Sequence, residues 1–112
     1  MLRRLLGSQP ATAEVDVREA WRRVQDENAL LLDVREAQEL REAAVPGALH
    51  IPLGQLNSKG STLPRDRDIL VLCRSGNRSA LATEMLNKNG FDRAANVTGG
   101  IIAWHQAKLP IE

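Results

Sequence analysis

A chain of 112 residues accommodates one hydrophobic core and leaves little room for a second domain. Fifteen Lys and Arg against fourteen Asp and Glu leave it nearly neutral, without the basic face that duplex nucleic acid demands. Its single cysteine, Cys73, excludes an internal disulfide and a thiolate zinc centre, so a reducing compartment is expected and no metal or organic cofactor is implied.

Residues 1–10 carry a charged pair, Arg3-Arg4, beside an apolar run too short for a signal peptide, and no later segment has the length of a membrane span. The expectation is a cytoplasmic protein with a flexible N-terminus over 1–10 and one domain over 11–112. Asp16 with Glu19 forms a capping-box pattern, and Val17, Ala20, Trp21 and Val24 follow at helical spacing to about residue 26. Residues 30–34 are a short apolar run, as are 69–73; each suits a strand buried on both faces, the mark of a parallel sheet. Between them lie a helical stretch over 36–43, a Pro46-Gly47 turn and a third short strand over 48–51.

After Cys73, Gly76 and Asn77 interrupt the chain, and Leu81, Met85 and Leu86 outline a helix that stops at Asn89-Gly90. Residues 94–98 read as a further strand, Gly99-Gly100 as a turn, and 101–108 as a last helix before Pro110. The alternation predicts an α/β domain with helices on both faces of the sheet. Aromatic residues are scarce, so Trp21, Phe91 and Trp104 are expected to pack in the core.

Cys73 falls where a strand becomes a helix, at the sheet end where α/β proteins bind ligands. Such a cysteine can be a buried core residue. The segment Cys73-Arg74-Ser75-Gly76-Asn77-Arg78-Ser79 points instead to a nucleophile. It contains no proline, so every residue after the cysteine can offer a backbone N–H to a central anion, and the following helix N-terminus adds partial positive charge. Arg74 and Arg78 add full charges, a combination that lowers a thiol pKa. Gly76 suits a position of positive φ, whereas Ser75, Asn77 and Ser79 read equally well as loop and capping residues.

At this point the chain resembles the rhodanese homology family over about residues 16–111. The resemblance rests on four segments in order: Leu31-Leu32-Asp33-Val34-Arg35, then Val45-Pro46-Gly47-Ala48 with Ile51-Pro52, then Cys73 to Ser79, then Gly99-Gly100-Ile101-Ile102-Ala103-Trp104. It implies a central five-stranded parallel sheet flanked by helices and a six-residue active loop from Cys73 to Arg78. It also implies transfer of sulfane sulfur from a donor such as thiosulfate to a thiophilic acceptor such as cyanide, through a persulfide on Cys73. Arg74, Ser75, Gly76, Asn77, Arg78 and Ser79 would bind the donor and stabilise the persulfide, with the two arginines steering anions. Asp33 and Arg35 match a signature that resembles a structural ion pair, and His50 and His105 are expected to be surface or packing residues. Many relatives have Gly-His-Ile where this chain has Ala43-Ala44-Val45.

Three other readings stay open. One is a relay of persulfide sulfur between protein partners. Another is a cysteine phosphatase or arsenate reductase, whose loop has five residues between Cys and Arg rather than the four found here. The third is a non-catalytic binding module, a fate of rhodanese-like domains that usually lack the cysteine.

Overall fold

The computed structural model describes residues 13–112, so the N-terminal stretch expected to be flexible lies outside the described residues. Five parallel strands form the sheet: β1 (Glu14–Val15), β2 (Leu30–Asp33), β3 (Leu49–His50), β4 (Ile69–Leu72) and β5 (Ala94–Val97), in the order β1-β5-β4-β2-β3. The expected α/β class and five-stranded parallel sheet are what the chain forms. Strand β1 has no counterpart among the sequence-predicted elements. It is two residues long and is held by a partner strand far along the chain, with Glu14 opposite Asn96 and Val15 opposite Val97.

Period-two alternation divides the apolar strand residues between two cores. Leu31, Leu70, Leu72, Ala95 and Val97 face one way, where they meet α1 (Val17–Asp26) and the C-terminal helix α5 (Gly100–Gln106). Leu32, Ile69, Val71, Cys73 and Ala94 face the other way, against α3 (Leu56–Lys59) and α4 (Asn77–Lys88). Helix α1 begins where the cap pattern places it, with the Asp16 carboxylate accepting from Glu19 N at 2.8 Å. Trp104 is fully buried and donates to Pro110 O at 2.9 Å; half-buried Trp21 meets it edge-on at 5.7 Å. Phe91 is buried in the opposite core.

Helix α2 (Ala37–Glu42) buries none of its own residues and is fixed by polar contacts instead. Arg35, just past β2, forks onto Asp33 at 2.8 Å and also donates to Ala43 O at 2.8 Å. Asp33 and Arg35 are fully buried, in the scaffold position that the resemblance implies. At Ala43-Ala44-Val45, Val45 is buried and Ala44 exchanges two backbone hydrogen bonds with Glu112, so the turn is closed by residue 112. The short helical turns between residues 53 and 62 have no counterpart among the sequence-predicted elements either. Among the described residues no helix is long and apolar enough to cross a membrane.

The topology places the site. From β2 the chain moves outward to β3; from β4 it moves the opposite way to β5. The reversal makes the carboxyl ends of β2 and β4 a topological switch point, the place where open α/β sheets bind ligands, and Cys73 is the first residue beyond β4.

Candidate active site

Backbone geometry builds the loop before any side chain contributes. Gly76 caps α4 at φ +107°, a conformation that side chains rarely adopt, and a Cβ there would lie 3.3 Å from Gly99 N. Gly99 and Gly100 also have positive φ, and a Cβ on Gly100 would fall 2.4 Å from Arg74 O and 2.5 Å from Cys73 O. The glycine pair therefore does more than start a helix, which was its expected role. It lets the first turn of α5 approach the loop closely enough for Ile101 N to donate to Cys73 O at 2.9 Å and Ile102 N to Arg74 O at 3.2 Å. In a trans peptide the N–H points opposite to the C=O. Two carbonyls turned toward α5 thus turn the amides of Arg74 and Ser75 away from it, toward the concave side of the loop.

Two hydrogen-bond donors close on the Cys73 sulfur. Gly76 N lies 3.1 Å from Sγ and Ser79 Oγ 3.2 Å, and the backbone N–H groups of Ser75 and Ser79 also act on it. Burial pushes the thiol pKa up, but the Ser79 hydroxyl and the amides of Ser79, Gly76 and Ser75 together outweigh it and leave the pKa below the ordinary 9.0. The sequence reading credits the loop amides, the helix N-terminus and the two arginines together with this lowering. The contacts give neutral donors the larger part, because hydrogen bonds made directly to sulfur act at shorter range than a guanidinium at the rim, and Arg78 adds a Coulombic share.

Ser79 is fully buried and is no mere capping residue. Its Oγ lies 2.6 Å from Asn96 Oδ1 as well as 3.2 Å from Sγ, so its one hydroxyl proton serves either acceptor but not both at once, and Asn96 Nδ2 donates to Gly76 O at 3.2 Å. Asn96 stands opposite Val71 in the sheet and so shares the Cys73 face, where it ties together both groups that touch Sγ. Sequence reasoning missed it. The signal was present as an amide in the middle of the strand read over 94–98, which the structure buries on both faces, a place where an unpaired polar group is costly.

The remaining loop residues divide. Arg74, Ser75 and Asn77 expose their side chains. Arg78 turns its guanidinium onto Glu39 of α2, with Nη1 at 2.7 Å from Oε2 and Nη2 at 2.8 Å from Oε1. The fork holds Glu39 down to about 2 and raises Arg78 further. Glu39 was also missed, since an acidic residue on a helix has no local sign of a partner 39 positions away. His50 Nε2 lies 2.6 Å from Arg35 O, and His105 is exposed on α5. The site thus presents one buried, electron-rich sulfur in a cradle of N–H and O–H donors, an arrangement that stabilises a thiolate or a larger sulfur anion in its place.

The profile of the rhodanese-like domain matches residues 16–107, and the chain belongs to that family. Its relatives include a protein named sulfurtransferase from Allochromatium vinosum, 39% identical over 99 residues that cover 88% of this chain and 92% of that protein. The thiosulfate sulfurtransferase GlpE of Actinobacillus succinogenes is 33% identical over 102 residues, covering 91% of this chain and 92% of its own length. Among solved structures, a rhodanese-related protein from Thermoplasma volcanium superposes with a TM-score of 0.83 at 31% identity, over 89% of this chain and 97% of that one. The family, the fold and a general assignment as a rhodanese-like sulfurtransferase stand on these likenesses together.

Proposed function

We propose that the chain moves sulfane sulfur from a donor such as thiosulfate to a thiophilic acceptor such as cyanide, with Cys73 as nucleophile and transient sulfur carrier. The observation that carries this reading is the set of donors closing on Cys73 Sγ from Gly76 N and Ser79 Oγ. Cys73 thiolate attacks the outer sulfur of the donor; a new Sγ–S bond forms, the donor bond breaks, and its electron pair leaves with sulfite. In the second half-reaction the acceptor attacks the outer sulfur of the persulfide and Cys73 departs as thiolate. The amides from Arg74 to Ser79 stabilise each anion, and a persulfide extends the charge about 2 Å further from the strand end. Arg74 and Arg78 are assigned to steering of anionic donors, Arg78 subject to its pairing with Glu39. The donor and acceptor include small molecules and, in the cell, partner proteins.

The loop also favours this reading over a phosphatase. Four residues between Cys73 and Arg78 make a cradle suited to a sulfur atom rather than to a phosphoryl group with three equatorial oxygens. The test is intact mass spectrometry after thiosulfate treatment, with wild type beside Cys73→Ser. A gain of one sulfur atom that cyanide removes, seen in wild type alone, is expected. No gain with any sulfane donor, or an equal gain in the variant, overturns the proposal.

A further inference from the structure

The charge around the loop differs from what its sequence suggests. Two arginines in six residues imply a doubly cationic mouth, yet Arg78 is neutralised by the bidentate Glu39 pair. The carboxylate is also held by the backbone: Glu36 N donates to the same Oε2 at 2.9 Å, and Arg35 fixes the end of its helix through Ala43 O. Glu36 acts on Arg78 as a second negative neighbour. Arg74, exposed, then supplies the loop's one cation that makes no ion pair among the described residues. A thiosulfate dianion approaching a Cys73 thiolate brings three negative charges together, against a mouth whose formal charges nearly cancel.

We propose that Glu39 is a specificity-determining residue of this site: its carboxylate, locked on Arg78, weighs against dianionic donors and favours donors that deliver sulfane sulfur with one negative charge fewer, as an alkyl persulfide does. The inference rests on the sulfur-transfer reading above. With an alkyl persulfide, Sγ attacks the outer sulfur, the donor S–S bond breaks, and its electron pair leaves with the alkanethiolate; no oxidant or reductant is consumed. The amides and Ser79 serve both donor classes alike, because they bind the sulfur undergoing transfer. Glu39 acts instead on the charge carried by the rest of the donor.

Glu39→Gln tests this directly. Glutamine can still accept from Glu36 N and from one Arg78 N–H, so the start of α2 is preserved while the charge is removed. Removing a unit charge about 6 Å from a dianion in near-aqueous surroundings corresponds to about tenfold in binding, and from a monoanion to about threefold. The expected result is a kcat/KM about tenfold higher for thiosulfate and about threefold higher for cysteine persulfide, carried by KM rather than kcat, so that the ratio of the two moves about threefold toward thiosulfate. The gain should shrink as ionic strength rises through about 0.5 M. Arg78→Met in both backgrounds closes the cycle: with Glu39 present it should lower kcat/KM for thiosulfate below wild type, because an unpaired carboxylate is then left at the mouth, and adding Glu39→Gln should restore it to about the wild-type value. An unchanged ratio of the two kcat/KM values in Glu39→Gln overturns the specificity role and leaves sulfur transfer standing. Absence of a Cys73 persulfide from either donor, in either protein, overturns both.

Discussion

Gly100→Ala probes how the loop is held, and the structure supplies its own control. An alanine at φ +58° occupies the left-handed region, at about 1–2 kcal/mol. Gly47 has a comparable φ of +81° but open space around its missing Cβ, so Gly47→Ala bears that conformational cost alone. At Gly100 the new Cβ would meet Arg74 O at 2.4 Å, and those atoms are backbone, which cannot swing aside as a side chain does. Restoring an ordinary C···O contact of about 3.3 Å requires a shift of about 0.9 Å. Such a shift strains the bonds from Ile101 N and Ile102 N to the loop, each contributing about 1 kcal/mol. The reduced freedom of the unfolded chain returns about 0.4–1 kcal/mol in both variants. Gly47→Ala should therefore lose about 1 kcal/mol and Gly100→Ala about 3 kcal/mol, read from urea midpoints at constant m. In Gly100→Ala the amides that face Sγ turn away, so the inflection of Cys73 alkylation against pH should also move upward. Equal stability losses in the two variants, with alkylation unchanged, would refute the claim that α5 orients the loop.

Ser79→Ala should likewise shift the alkylation inflection of Cys73 to higher pH, since it removes the hydroxyl that bonds sulfur; no shift would mean that the amides suffice. Cys73 also links stability to pH. Its folded thiol titrates below the ordinary 9.0, so between the two values the unfolded chain binds more protons and stability rises with pH, levelling off above about 9. The difference between wild type and Cys73→Ser in urea unfolding at stepped pH isolates this rise; a flat difference contradicts it. Arg35→Met strands the Asp33 carboxylate in a fully buried position and removes the tie to Ala43 O. A loss of about 3–5 kcal/mol is expected, and a loss under about 1 kcal/mol in the same assay would show that the pair is dispensable.

What the sequence reveals depends on how local each cause is. The cap at Asp16, the apolar runs that become β2 and β4 and the Asn89-Gly90 stop are all short-range signals, and the elements form where these stand. β1 is invisible by the same logic: a two-residue strand has no periodicity, and its existence depends on β5 being present to pair with it. The candidate site divides similarly. Cys73 and its loop are contiguous and legible, while Asn96 and Glu39 reach the loop from elements 17 and 39 positions from their partners. Their effect also changes the reading of what is legible. Arg78 reads as an available cation until its partner is seen, and Ser79 reads as a cap until its hydroxyl is traced to sulfur and to Asn96.

The place of β4 in the sheet order has a dynamic consequence. It is the central strand, paired along its length with β2 on one side and over three residues with β5 on the other, so its amides can exchange with solvent only through near-global opening. Cys73 and Arg74 follow directly on this slowest-opening segment and are tied across to α5 through their carbonyls, which gives the Cys73 sulfur a surrounding whose lifetime approaches that of the folded state. The atoms nearest the sulfur accordingly behave as a rigid instrument, one that holds its shape whatever the exposed side chains at the rim do.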